Sequence, residues 1–136
     1  MNQSDNTPSY GQQMKGKTGF MRIVKAAGYS KDGFIAAYRS EAAFRQVVWL
    51  NGILGIALIF LPFALSVKLI LLTISAISII VELFNTGLEA VVDRISDEYH
   101  PLSKVAKDVG SAAQFVSLSL LTIAWLIALY TTFFTA

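Results

Sequence analysis

The chain has 136 residues, of which 54% are hydrophobic and 15% are charged, and its formal net charge is +2. An ordinary soluble domain carries about 25% charged residues, so this composition favours a membrane protein built as one domain. The sequence has no cysteine and one histidine, which excludes disulfides, thiolate chemistry and, within one chain, a histidine-rich metal site.

Residues 1–18 are polar and lack hydrophobic periodicity, which predicts a disordered tail. Residues 11–18 match the P-loop pattern G-x-x-x-x-G-K-[ST]. A working P-loop follows a buried strand and opens a helix, and the polar residues 1–10 cannot form such a strand. We therefore interpret the match as a coincidence.

Residues 19–40 predict an amphipathic surface helix. Apolar side chains recur at helical spacing and alternate with lysine and arginine, which is typical of a helix lying on an anionic membrane surface. The alternative is a helix packed on a soluble core. Gly28 and Gly33 weaken the helix and suggest a break or bend.

Three long apolar segments follow, at about residues 41–63, 66–95 and 104–134. Each is near the length that spans a bilayer, so the predicted fold is an all-α membrane protein with three transmembrane helices. The second segment is longer than the hydrocarbon core, and its end is expected to project into water. Asn51 is a candidate for hydrogen bonding between helices.

The basic residues are distributed unevenly. Seven of the eleven Lys and Arg lie in residues 1–45, three lie around the second connection at Arg94, Lys104 and Lys107, and none follows the third span. The positive-inside rule then places the N-terminus and the 93–108 loop in the cytoplasm, and the 62–67 turn and the C-terminus outside.

An acidic stripe marks the second span. Glu82, Asn85, Glu89 and Asp93 stand at spacings 0, 3, 7 and 11, within an arc of roughly 80° on one helix face. A carboxylate at the bilayer centre costs roughly 2.5–3.5 kcal/mol, so such residues tend to face a protein interior and mark function. A solvent-facing stripe on a soluble helix is the alternative.

Charged groups are expected to meet at the cytoplasmic face. Glu41 and Glu89 suit Mg²⁺, Lys107 could offset phosphate charge, and Glu82 could act as a general base toward a lipid hydroxyl. Interhelical salt bridges without chemistry, or an ion or proton pathway, remain alternatives. Glu41 and Arg45, four residues apart, are also interpreted as a surface ion pair.

Four motifs together resemble the bacterial membrane-integral diacylglycerol kinase family. They are E-A-A-F-R-Q (41–46), V-E-L-F-N-T-G-L-E-A-V-V-D-R (81–94), E-Y-H-P-L (98–102) and A-K-D-V-G-S-A-A (106–113). The resemblance covers about residues 19–134. It implies one kinase domain over residues 19–136, a homotrimer in the bacterial inner membrane, and MgATP-dependent phosphorylation of a lipid hydroxyl in phospholipid biosynthesis.

The resemblance also implies roles for individual residues. Glu82 would be the catalytic base, Glu41 and Glu89 would hold magnesium, and Asn85 and Ser111 would lie near the reacting centre. The residues implied to bind ATP are Arg22, Tyr29, Glu41, Glu89, Glu98, Tyr99, His100, Lys107 and Asp108.

Two branches of the family are represented in the sequence. A-A-G-Y-S (26–30) and G-S-A-A (110–113) resemble the diacylglycerol branch, whereas H-P-L (100–102) resembles the undecaprenol kinase branch. We expect diacylglycerol to be the acceptor, with undecaprenol as the alternative. A non-enzymatic membrane assembly or ion-pathway protein is an alternative of a different class.

If the P-loop match is a coincidence, deleting residues 1–16 or changing Lys17 to Ala should leave kinase activity within a few-fold of the parent. The measurement is phosphoryl transfer from labelled ATP in lipid-containing micelles. Complete loss of activity in either variant would show that the glycine-rich tail takes part in the reaction.

Overall fold

The computed structural model describes residues 20–135; the predicted tail at 1–18 and its P-loop match lie outside the described residues. Residues 20–135 form helices and contain no strand, which confirms the all-α prediction. The described residues 20–35 and 36–135 belong to two separate compact units. The helices are α1 (Phe20–Ser40), α2 (Ala42–Phe60), α3 (Leu65–Ile95) and α4 (Pro101–Phe134).

Helix α1 matches the predicted surface helix to within one residue at its start. It runs unbroken through Gly28 and Gly33, so the suggested break is absent. A glycine costs a helix only about 1 kcal/mol relative to alanine, which the neighbouring residues can offset. Residues 21–36 are all exposed, and the exposed apolar side chains include Ile23 and Val24.

A single extended residue, Glu41, separates α1 from α2, with φ −109° and ψ 120°. Arg45 Nη1 donates to the carbonyl oxygens of Tyr38 at 3.0 Å and Arg39 at 3.2 Å. Arg45 therefore caps the C-terminal end of α1, where the last carbonyls of a helix lack partners. The predicted ion pair between Glu41 and Arg45 is therefore not formed, because the Arg45 guanidinium donates hydrogen bonds to these carbonyl oxygens instead.

The turn between α2 and α3 comes earlier than the sequence boundary of residue 63 suggests. Leu61 is extended, with φ −77° and ψ 139°, because a residue that precedes proline disfavours helical geometry. Pro62 follows it, and Phe63 folds back and is 6% exposed. Its ring meets Trp125 of α4 edge to face, with centroids 5.8 Å apart.

Helix α4 begins three residues before the predicted start at 104. His100 is its N-cap, and Nδ1 of the imidazole accepts a hydrogen bond from the backbone N–H of Leu102 at 3.2 Å. Pro101 occupies the first helical turn. Backbone N–H groups in the first turn have no partner within the helix, so proline loses no hydrogen bond there, and its fixed φ suits a helix. The H-P-L sequence thus supplies the helix start.

Helix α3 packs against both α2 and α4. One apolar cluster fills the end of this second unit that lies near the α2–α3 turn. Its buried members are Leu58, Phe63, Leu71, Leu121, Trp125 and Ala128.

Polar side chains replace apolar ones in the interior beyond this cluster. Asn51 of α2 is 8% exposed and donates from Nδ2 to Ser78 Oγ of α3 at 2.9 Å. Ser78, fully buried, donates in turn to the carbonyl of Ser75 at 2.8 Å. The prediction that Asn51 hydrogen-bonds between helices is therefore confirmed.

Three helices among residues 20–135, namely α2, α3 and α4, are long and apolar enough to cross a membrane. Large apolar side chains such as Ile59, Phe60 and Phe115 are more than 70% exposed on them. An apolar surface of this extent is suited to contact with lipid and not with water.

The Asn51–Ser78 hydrogen bond should be measurable as a coupling between α2 and α3. A double-mutant cycle of Asn51→Ala and Ser78→Ala is expected to give about 0.6 kcal/mol, the average for interhelical hydrogen bonds in membranes. The measurement is reversible unfolding in detergent micelles. Thr73→Ala is the matched control, because Thr73 Oγ1 donates to the carbonyl of Leu69 within its own helix; a cycle of Asn51→Ala with Thr73→Ala should show no coupling.

Candidate active site

Glu82 is the most buried charged residue of the described chain. It lies in the middle of α3 and is 2% exposed. Ser78 and Ser75, one and two turns before it, are buried on the same face, so this face of α3 is turned toward the neighbouring helices. A carboxylate in such a position is costly unless it has a partner or a function.

Two further carboxylates lie close enough to Glu82 to interact with it electrostatically: Glu89, two turns along α3, and Glu41, at the start of α2. The side chain of Glu41 does not cap α2. Within residues 20–135, the ion pairs are Lys104–Asp108 and Lys107–Asp93. Neither includes the three glutamates, which form a like-charged cluster; the Lys107–Asp93 pair is an interhelical salt bridge of the kind that the structural alternative predicts.

Asn85 connects two members of the acidic stripe. Its Nδ2 donates to Oε1 of Glu89 at 3.0 Å, and its amide also interacts with the carboxylate of Glu82. The i, i+4 spacing of Asn85 and Glu89 on α3 allows this contact. The bond fixes one oxygen of Glu89 and leaves the other available for a ligand.

A cation borders the carboxylates on the side of α4. Lys107 Nζ lies 2.6 Å from Asp93 Oδ1, with side chains 41% and 60% exposed. The lysine also interacts electrostatically with Glu89 and Glu41. The pair joins the end of α3 to the start of α4, and its exposure leaves Lys107 accessible to an anion from water.

An open cleft of about 590 Å³ lies at this end of α3 and α4. It is lined by Glu98, Tyr99 and His100 of the connecting loop and by Lys107 and Asp108 of α4. The structure therefore brings together five of the residues predicted to bind ATP. Asp93, Asp97 and Lys104 also line the cleft.

The remaining predicted residues are Arg22, Tyr29 and Ser111. Arg22 and Tyr29 are exposed residues of α1 in the first unit; they are seven residues apart and share a face of that helix. Ser111 is exposed on α4 and follows Gly110.

The carboxylate oxygens of this site suit a hard divalent cation that brings further ligands, such as phosphate oxygens, with it. Among residues 20–135, no group of three or more histidine, cysteine or acidic side chains could by itself hold a metal ion. Magnesium in phosphoryl-transfer sites usually takes one or two carboxylates and completes its shell with phosphate oxygens and water. Glu41 and Glu89 fit that pattern.

Two features of the site were missed from the sequence. One is the pairing of Asp93 with Lys107, which has no signal in the sequence because it depends on the register of α4 against α3. The other is Gly110, whose Cα lies against the side chain of Asn85. Its position in the A-K-D-V-G-S motif gave no indication of that contact.

Comparison with known proteins agrees with this geometry. The family model described as prokaryotic diacylglycerol kinase matches residues 28–129. The chain is 50% identical over 111 residues to a diacylglycerol kinase of Pseudomonas aeruginosa, covering 82% of this chain and 90% of the relative. It is 46% identical over 120 residues to that of Escherichia coli K12, covering 85% and 95%.

A diacylglycerol kinase of Helicobacter pylori strain 26695 is 42% identical over 119 residues, covering 82% of this chain and 90% of the relative. The range matched by the family model, residues 28–129, includes the acidic cluster. This all-helical membrane protein therefore belongs to the prokaryotic diacylglycerol kinase family.

Proposed function

We propose that this chain transfers the γ-phosphoryl group of ATP to the hydroxyl of diacylglycerol, giving phosphatidic acid and ADP. The family match and the names of the relatives support the substrate. The observation that carries the proposal is a buried carboxylate, Glu82, inside a membrane-spanning helix and beside two other carboxylates, which forms no ion pair with a cation among residues 20–135. Undecaprenol is not favoured as the acceptor, because these relatives are named for diacylglycerol.

Glu82 is the proposed general base. The lipid hydroxyl oxygen forms a bond to the γ-phosphorus, the bond from that phosphorus to the β–γ bridging oxygen breaks, and ADP leaves. The hydroxyl proton passes to the carboxylate of Glu82. Glu82 lies on a membrane-spanning helix with its side chain 2% exposed, which keeps the base away from bulk water.

Glu41 and Glu89 are the proposed magnesium ligands. When bound with the ATP phosphates, magnesium supplies charge compensation for the transferring group. The Asn85–Glu89 hydrogen bond orients the Glu89 carboxylate toward the cluster. Asn85 and Ser111 are placed near the reacting centre or the lipid headgroup by the same proposal.

In this proposal the nucleotide occupies the cleft. The residues that border it there are Lys107, Asp108, Glu98, Tyr99 and His100. Phosphate oxygens compete with Asp93 for Lys107, because both are anionic acceptors for the same ammonium group. Arg22 and Tyr29 of α1 complete the proposed nucleotide contacts.

The proposed assembly is a homotrimer in the bacterial inner membrane, with residues 19–136 as its kinase domain. The clustering of lysine and arginine before the first span and around residues 94–107 supports a cytoplasmic N-terminus and 93–108 loop. The cleft then opens toward cytoplasmic ATP, and the 62–67 turn and the C-terminus lie outside.

The decisive experiment measures phosphoryl transfer from labelled MgATP in detergent–lipid micelles, with diacylglycerol and undecaprenol offered separately. Label is expected in phosphatidic acid. Glu82→Gln should reduce transfer by roughly 10²–10⁴-fold, the contribution of a general base. Glu89→Gln should weaken MgATP binding and abolish turnover while the assembly stays intact, whereas Asp32→Asn on α1 is the control and should resemble the parent.

Other outcomes of this assay separate the alternatives. Label only in undecaprenyl phosphate would keep the mechanism and change the acceptor. Full activity of Glu89→Gln would contradict the magnesium assignment. If a well-folded protein transfers label to neither lipid, the acidic cluster has a structural or ion-pathway role and not a catalytic one.

The like-charged cluster also makes a prediction about stability. Glu82→Gln should have a Tm equal to or above that of the parent, because it removes a buried charge and its repulsion with Glu41 and Glu89. Thermal unfolding in micelles at neutral pH is the measurement. Asp93→Asn, which removes a paired carboxylate, is the control and should not raise the Tm; a marked fall in the Tm of Glu82→Gln would favour structural pairing.

A further inference from the structure

Gly110 differs from every other glycine in the described part of the chain. A Cβ at Gly28, Gly33, Gly52, Gly55 or Gly87 would meet nothing within 4 Å. A Cβ at Gly110 would overlap Oδ1 of Asn85 and lie 3.3 Å from both Asn85 Cγ and Leu88 Cδ2. A side chain at position 110 would therefore fit only if the Asn85 amide moved from its place.

The close approach involves the oxygen of the Asn85 amide. Oδ1 of Asn85 is buried and accepts no conventional hydrogen bond. Glycine carries a hydrogen in the direction in which other residues carry Cβ, so Gly110 presents a Cα–H to this oxygen, which is a weak hydrogen-bond donor. The oxygen end of the Asn85 amide is thus held mainly by packing against α4.

The other end of the same amide donates to Glu89. Nδ2 lies 3.0 Å from Glu89 Oε1. The amide group is planar, so fixing Oδ1 against Gly110 also fixes the direction in which Nδ2 points. A flipped amide would turn its oxygen toward the Glu89 carboxylate, which is a repulsive contact.

We infer that Gly110 is a positioning residue for the reaction: it makes the space in which Asn85 is held and, through Asn85, orients the Glu89 carboxylate toward the metal. The inference rests on the proposed function, in which Glu89 binds magnesium. Groups that orient metal ligands typically contribute 10–100-fold to metal affinity or activity.

The test compares Gly110→Ala with Gly87→Ala, which makes the same chemical change on α3 in open space. Gly110→Ala should raise the KM for Mg²⁺ at fixed ATP by about 10–100-fold, with kcat affected less. Gly87→Ala should leave both parameters near those of the parent. Equal behaviour of the two alanine variants would overturn the inference.

A stability cycle tests the contact without relying on activity. Gly110→Ala should lower the Tm, and the same change made in an Asn85→Ala background should lower it much less, because the side chain it overlaps is gone. If Gly110→Ala alone does not fold, Asn85→Ala should restore folding. Additive losses of Tm, or a failure to restore folding, would overturn the inference.

The two readouts also separate failure of this inference from failure of the proposed function. If the parent protein has no lipid kinase activity, the proposed function is wrong, and so is the inferred role of Gly110 toward the metal. The stability cycle would still report on the Gly110–Asn85 contact itself. An active parent with no effect of Gly110→Ala would remove only the inference.

Discussion

The constraint on which the structure depends is the burial of Glu82 in a helix that is otherwise suited to lipid. A carboxylate on such a helix must be turned away from hydrocarbon. Helix α3 accordingly packs against α2 on one side and α4 on the other, and Glu82 is left 2% exposed. The polar residues that line the same face, Ser75 and Ser78, follow from that orientation.

The two ends of the helical unit serve different purposes. Around Phe63 and Trp125 the interior is apolar and closely packed, which anchors the three long helices to one another. At the other end the interior contains carboxylates and an amide, and an exposed lysine borders them. Packing energy at one end can thus offset like-charge repulsion at the other, as is common where a site requires an arrangement that is not the most stable one.

Much of this arrangement could be predicted from the sequence. The acidic stripe has a helical period, and α3 was placed at residues 66–95 against the observed Leu65–Ile95. The start of α4 was placed three residues late, because the apolar pattern begins after the cap formed by His100 and Pro101. Periodicity reports which residues share a face, but a cap depends on local hydrogen bonds.

An interhelical hydrogen bond of Asn51 was predicted, but the partners that meet between helices were beyond such reasoning. That Lys107 meets Asp93, and that Gly110 meets Asn85, depends on the register of α4 against α3. A shift of one residue would turn either side chain by about 100°. Arg45 illustrates the same limit: its spacing from Glu41 suggested an ion pair, but the nearby end of α1 offers two carbonyl acceptors.

The unbroken length of α3 has a consequence for how the protein responds to its membrane. Its 31 residues extend about 46 Å at 1.5 Å per residue, against a hydrocarbon core of about 30 Å. Because one continuous helix joins the part within lipid to the part that carries Glu89 and Asp93, the height of Glu82 relative to the headgroups responds to hydrophobic matching. A thicker bilayer draws the glutamate deeper and a thinner one raises it toward water, so that lipid chain length becomes a direct physical control on this site.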